Sequence, residues 1–403
     1  MAIKINWQDL QKRFINWQEI VRVYKNGWQI RPETVPPTAD YLCFTANTAG
    51  STIKLNGSSS LTQRYFEYSW DWTTWTDYAL NSRREWEVIT FTNVWDKLYF
   101  RNKSETVIPR FSNLTYQRRF TMTWSIAASW DINYMLCKYS TDSFPYNDWS
   151  NNTPYYCGLF KSCKALTSAP KLPITTVVPR CYSDMFYWCT WLLTAPELPA
   201  TTLASHCYSN MFYYCTSLTT APALPATTLA PYCYSSMFNY CTSLTTAPTL
   251  SSTSLAGYCY QGMFAHCASL RTSPALPATT LAPYCYQSMF RESGLVNPPA
   301  LPATTIAEAC YSLMFMNTNI NKFVALPATQ LEQNCYTAMY SYCSNLRMSD
   351  TQWWDFQNEY RIPVSWTWID ATNSTYNMFN NIWQTPTATP SINTTYYTSN
   401  TVI

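Results

Sequence analysis

Between residues 155 and 349, hydrophobic positions recur in columns one whole unit apart, with small and polar residues between them. One column is Leu159, Met185, Met211, Met237, Met263, Met289, Met314 and Met339, and beside it runs Phe160, Phe186, Phe212, Phe238, Phe264, Phe290, Phe315 and Tyr340. A third is Cys163, Cys189, Cys215, Cys241, Cys267 and Cys343, broken by Ser293 and Thr318; a fourth runs Leu172, Leu198, Leu224, Leu250, Leu276, Leu301 and Leu326. Each unit opens on a Cys, at Cys181, Cys207, Cys233, Cys259 and Cys285 in steps of 26, then at Cys310 and Cys335 in steps of 25. Tyr155 holds that place one step earlier, which makes eight units. A fixed period of this length marks a stack, because one unit cannot bury its own apolar face and must use its neighbour.

The columns predict the core ladder: Met185, Phe186, Met211, Phe212, Met237 and Phe238, with Cys189, Cys215, Cys241 and Cys267 as small semi-apolar fillers. The segment between the second Cys and the Leu-Pro pair reads as a short strand, paired in parallel with the next about 4.8 Å away, so that eight units give a spine on the order of 40 Å. The Cys-Tyr-x-x-Met-Phe stretch reads as a short helix or helical turn, since Met and Phe follow Cys by four and five residues. Pro after the Leu column, as at Pro225, lacks a donor and marks where pairing stops.

Upstream the pattern changes. Residues 38–137 carry alternating β-branched and aromatic runs at 41–45, 51–55, 64–69, 87–92, 97–101, 119–125 and 131–136, which predict an all-β sandwich. Trp70, Trp72 and Trp75 within it suggest either a sugar-stacking platform or ordinary core. Residues 138–154 form a Ser, Asp, Asn and Pro connector. Residues 1–37 make a small opening segment with an Ile-Asn-Trp-Gln echo and a hairpin turn at Asn26-Gly27. Past Cys343 the period is lost, and residues 350–403 are expected to supply a terminal cap, with Trp353, Trp354, Phe356, Trp366 and Trp368, followed by a Thr/Asn-rich tail. The expected fold class is therefore mainly β with short helices: a sandwich, then a solenoid with a parallel sheet.

Composition narrows the function classes. Only 12% of residues are charged and 17% are aromatic, with net charge +3, so the surface is built of hydroxyls, amides and rings. No long basic run provides a footprint for nucleic acid, no apolar stretch is long enough to span a membrane, and no signal peptide opens the chain. Phosphate loops, nucleophile elbows and His-Glu-x-x-His are missing, so neither an enzyme nor a cofactor is expected. Stacking would bring Cys Cα atoms of neighbouring rungs near bonding range, so disulfides are an option in oxidising surroundings; a zinc site is disfavoured by Cys-x7-Cys spacing with only His206 and His266 to assist.

Several Trp stand where a turn calls for Gly: Trp7, Trp17, Trp95 and Trp130, with Trp86 and Trp124 similar. There are 18 Trp and only 7 Gly. One expectation is that UGA is decoded unconventionally, exchanging Gly for Trp at these sites; the other is divergence with ordinary turns.

The Met-Phe-x-x-Cys-x-x-Leu-x-x-x-Pro-x-Leu-Pro pattern resembles the BspA-like leucine-rich repeats, in the LPATTL-containing variant of surface proteins from mycoplasmas, gut Bacteroidetes and their phages. The opening segment resembles that of structural proteins of crAss-like phages. The resemblance implies an LRR-type solenoid used for interaction and an N-terminal anchor to other virion proteins. The expected role is a virion appendage, a fibre or decoration, presenting the solenoid to a host-surface glycan or protein, and homo-oligomeric as fibres often are; a bacterial surface adhesin or a purely architectural protein are the alternatives. The pair before the second Cys varies from unit to unit, as a tunable face does. Tyr187, Trp188, Tyr213, Tyr214, Tyr240, His266 and Tyr342 are its candidate ligand residues, beside a constant Tyr column (Tyr182 to Tyr336) that could also stack on sugars or serve as a packing ladder.

Overall fold

The computed structural model describes residues 24–25, 28–29, 41–56, 66–78, 87–102, 119–129, 132, 156–321, 324, 326–328, 330–346 and 374–381. The chain divides into two compact units, Met1–Asp40 and Tyr41–Ile403. In the first, β1 (Tyr24–Lys25) and β2 (Trp28–Gln29) pair antiparallel; Asn26 and Gly27, where a hairpin turn was expected, lie outside the described residues.

The second unit opens with a series of strands. They are β3 (Leu42–Ala46), β4 (Thr52–Asn56), β5 (Phe66–Ser69), β6 (Thr76–Asp77), β7 (Ile89–Thr90), β8 (Lys97–Asn102), β9 (Arg119–Thr123) and β10 (Ile126–Ser129). Six of the seven expected runs carry a strand, and β6 and β10 were not expected; of the seventh run, 131–136, only Ile132 is described, and it is not in a strand. β11 (Leu166–Ser168) belongs to the first repeat. Two open sheets result, ordered β11-β10-β3-β8-β5-β6 and β7-β4-β9. Alternation sets one face inward: Ile53 and Leu55 of β4 are buried while Thr52, Lys54 and Asn56 are partly exposed. Trp75 lies beneath Arg101, whose guanidinium is 3.7 Å from the ring centroid, while Trp70 and Trp72 meet Phe91 and Tyr99 edge to face. These rings pack on the sheet.

The repeats depart from both helix and strand. In the fourth unit the N–H groups of Cys233, Ser235, Met237, Asn239 and Cys241 donate to carbonyls three residues back, at 3.0–3.2 Å. The alternate donors, Tyr232, Tyr234, Ser236, Phe238 and Tyr240, reach carbonyls of Gly257, Cys259, Gln261, Met263 and Ala265 in the next unit, at 2.7–3.1 Å. The backbone takes a left-handed φ at every fourth residue: Tyr232 (58°), Ser236 (53°) and Tyr240 (61°), and equivalently at His206, Asn210 and Tyr214 or Tyr258, Gly262 and His266. Two side chains point in, then two out, with a period of four. The expected short helix is thus replaced by a run of turns: a helix would return all its donors to its own chain, whereas here half are free to join rungs. There is no α-helix among the described residues, and hence none long and apolar enough to cross a membrane.

The expected parallel strands also shrink. After β11 the parallel pairing is reduced to isolated bridges such as Thr202↔Thr228, Thr220↔Thr246 and Thr280↔Thr305. Thr220↔Thr246 falls in the segment expected to be a strand, one unit apart, whereas Thr202↔Thr228 and Thr280↔Thr305 lie beyond the Leu-Pro pair, where pairing was expected to stop. Pro lacks a donor and interrupts the ladder between these points without ending it.

The core ladder is as expected: Met185, Phe186, Met211, Phe212, Met237, Phe238, Cys189, Cys215, Cys241 and Cys267 are all fully buried. Phenylalanine rings pile face to face, 5.5–6.0 Å apart from Phe160 to Tyr340. The pile runs on at both ends. Phe120 of β9 stacks on Phe160, and its N–H donates to Leu159, as a preceding unit's Phe would. At the other end Tyr340 stacks on Phe379, and Tyr336, Ala338, Tyr340 and Tyr342 donate to Ser374, Tyr376, Met378 and Asn380. Residues 374–381 are therefore a ninth rung where the period was taken to be lost. The Trp-rich stretch expected as the cap lies outside the described residues.

The cysteines do more than fill space. Each second-column thiol donates to the carbonyl of the Phe in the preceding rung: Cys189 to Phe160, Cys215 to Phe186, Cys241 to Phe212 and Cys267 to Phe238, at 3.1 Å each. Burial raises their pKa far above the usual thiol range, so they stay protonated donors. Every described cysteine is a free thiol.

The break in the Cys column at Ser293 tests this account. Ser293 replaces Cys, and its buried hydroxyl finds no partner. Next to it the unit is one residue shorter, and a Cβ on Gly294 would lie 2.1 Å from the Ala268 carbonyl oxygen. Ser293→Cys should raise stability by roughly 1 kcal/mol by restoring the rung-to-rung bond, and Gly294→Ala should cost about 3 kcal/mol through the clash; urea unfolding midpoints measure both. Trp95 (φ 72°) and Trp124 (φ 57°) sit in left-handed conformations that favour glycine, with 72% and 64% of their surface exposed. Trp7, Trp17, Trp86 and Trp130 lie outside the described residues. Trp95→Gly is expected to stabilise the protein by about 1 kcal/mol, because the strain is relieved and little packing is lost; a lower melting temperature would show that the indole is needed.

Candidate functional site

The turn runs place their outward pairs in register from rung to rung. Six of the seven sequence-predicted residues come together on one face of the second to fifth units. Tyr187 stacks on Tyr213 at 4.7 Å, Tyr214 on Tyr240 at 4.9 Å and Tyr240 on His266 at 3.9 Å, while Trp188 meets Tyr214 edge to face at 5.7 Å. Tyr342 is exposed in the same column but separated from these rings by Glu292 and Asn317 of the intervening units. Trp188, Tyr214, Tyr240, His266 and Tyr342 all hold the left-handed φ that ends each turn run, which swings them outward.

Charge is sparse and sits at the ends of the row. Lys161 lies 4.4 Å from the Tyr187 ring centroid and pairs with Asp184 at 3.2 Å; Lys164 lies 5.6 Å from that of Trp188. At the other end His266 Nδ1 is 3.2 Å from Glu292 Oε2. Burial lowers the pKa of His266, Glu292 opposing and Arg291 reinforcing the effect, so the ring is mainly neutral at pH 7. Burial likewise raises the Tyr213 phenol above its ordinary value, with the neighbouring tyrosines adding to it.

A second outward row escaped the sequence reading. His206, Tyr232, Tyr258 and Tyr284 stack at 4.3–4.5 Å, each at the first left-handed residue of its turn run. Tyr284 donates to Glu308, and this bond heads the causes that push its phenol up to about 12. The signal lay in the residue just before each first Cys, where Arg180, His206, Tyr232, Tyr258 and Tyr284 follow one another. Small residues at the middle left-handed position, Asp184, Asn210, Ser236, Gly262 and Ser288, separate the two rows along each turn run.

The constant Tyr column is not a surface. Tyr182, Tyr208, Tyr234, Tyr260, Tyr286, Tyr311 and Tyr336 are at most 2% exposed and stack at 5.7–5.9 Å, so they form a packing ladder beyond the reach of a ligand. The sugar-stacking reading of that column is corrected accordingly. Among the described residues no group of three or more His, Cys, Asp or Glu is placed to hold a metal ion.

Face-to-face stacking uses up ring faces. The rows therefore offer a ligand their edges and hydroxyls, and free faces only where stacking breaks, as at Trp188. The buried hydroxyls of Tyr208 and Tyr286 have no hydrogen-bond partner. Tyr208→Phe should leave any surface binding unchanged and raise the unfolding free energy on the order of 1 kcal/mol, since a stranded polar group is removed; chemical denaturation checks the sign.

No protein-family model, no curated protein and no solved structure matches this chain, so its site is defined by its own geometry.

Proposed function

We propose that the repeat stack is a BspA-like leucine-rich-repeat solenoid, and that the chain is a non-enzymatic virion appendage of a phage, a fibre or a head or tail decoration, that presents this solenoid to host-surface glycans. The observation that carries the reading is the aromatic row Tyr187, Trp188, Tyr213, Tyr214, Tyr240 and His266. These positions vary between units while the core columns stay constant, so packing does not dictate them. Rings with hydroxyls on a nearly uncharged face suit sugars, which offer apolar C–H faces and hydroxyl rims. The opening segment serves as the anchor to the particle, on its resemblance to phage structural proteins.

Replacing Tyr187, Trp188, Tyr213 and Tyr214 together with Ser removes this face and leaves the buried ladder intact. Attachment of the purified protein to host cells is expected to fall at least tenfold, the scale on which interface hot spots act, while cooperative thermal unfolding persists. Unchanged attachment would favour a purely architectural role. Peptide spectrometry of purified particles and washed host envelopes separates the virion from the cell-surface adhesin reading by where the chain is recovered.

A further inference from the structure

The repeats carry their own internal control, because equivalent positions in neighbouring units show what the backbone alone requires. Two and four residues after the second Cys, the third and fourth units have Ser217 and Thr219, and Ser243 and Thr245. The second unit has Trp191 and Leu193 at these places, 51% and 56% exposed. Trp188, 41% exposed, lies three residues before Trp191 in the same unit. Large apolar groups thus concentrate on one unit, at sites where its neighbours fold with small hydroxyl residues. Their burial adds nothing to the core, since Leu192 between them is the residue that points inward.

The charge beside them is also distinct. Lys161 is tied to Asp184, whereas Lys164 makes no ion pair with a carboxylate among the described residues and holds its ammonium near the Trp188 ring. Lys164 stands where the following units have Thr190, Thr216 and Thr242. Its rung adjoins the one carrying Trp191, as the bond from Leu193 N–H to the Thr167 carbonyl shows.

We propose that Trp188, Trp191 and Leu193, with the ammonium of Lys164, form a subsite for a carboxylate-bearing sugar. The inference rests on the glycan reading above and sharpens it. Indole faces left free by the broken stack receive the C–H face of a pyranose, and Leu193 lies beside them. Lys164, held near the Trp188 ring and without a carboxylate partner among the described residues, supplies the positive charge that a uronate or sialate carboxylate needs.

The test uses the full chain and titration calorimetry, with oligosaccharides ending in glucuronate, galacturonate or sialate against their neutral counterparts. Two variants copy residues that neighbouring units already tolerate: Trp191→Ser with Leu193→Thr, and Lys164→Thr. The wild type should bind at least one acidic sugar roughly tenfold more tightly than its neutral counterpart; the double variant should lose binding by ten- to hundredfold, and Lys164→Thr should abolish the preference for acid alone. Unchanged sugar binding in the double variant, or no acidic preference in the wild type, overturns the subsite. If the four-residue Ser variant still loses cell attachment in that case, the wider glycan face survives; if it does not, both readings fail. A concentration-dependent dimer in the wild type that the double variant dissolves also overturns the proposal, by assigning the surface to a second copy of the chain.

Discussion

The structure depends on the division of backbone donors between two directions. In each turn run every second N–H closes a turn within the unit and every other one crosses to the next rung, so both sets are satisfied without a helix or a continuous strand. The left-handed residue at every fourth position makes this division possible, since it resets the chain before a helical turn can propagate. Such conformations cost on the order of 1 kcal/mol or more for residues other than glycine. The cost is tolerated because each rung is held on both sides by about five backbone bonds, a thiol bond and stacked rings.

The same division explains why the ends matter. A rung with no successor leaves a row of donors without acceptors, and a rung with no predecessor leaves the converse. β9 and β10 meet one end by imitating a rung: Phe120 continues the ring pile, and its carbonyl accepts the Cys163 thiol as Phe160 accepts that of Cys189. Strands and repeats consequently share one continuous core, although their sequence patterns differ.

Much of this was legible in the residues. The Met, Phe, Cys and Leu columns gave the inward positions because a stack of equal units must repeat its core at the unit period, and the strand runs gave β3, β4, β5, β8 and β9 nearly to their ends because alternation is a local signal. The turn run was misjudged because a spacing of four and five residues fits a helical face; only Asp, Asn, Ser and Gly at the middle left-handed place of successive runs, Asn210, Ser236 and Gly262 among them, hinted at left-handed backbone. The ninth rung was missed since Met378 and Phe379 follow Met339 and Tyr340 at a distance of 39 residues, outside the period. At the candidate site, variation marked Tyr187, Trp188, Tyr213, Tyr214, Tyr240 and His266 correctly as outward, whereas constancy could not say whether Tyr182 to Tyr336 faced in or out. Burial decided that question.

The long step to the last rung has a consequence for how such a chain can change. The backbone returns to register after 39 residues as well as after 25 or 26, and Tyr340 and Phe379 meet within 2° of parallel. Register is thus regained at the Met-Phe segment across steps of 25, 26 and 39 residues alike. A stack of this kind therefore needs no equal spacing along the chain, only a Met-Phe pair and its carbonyls presented to the donors of the rung before.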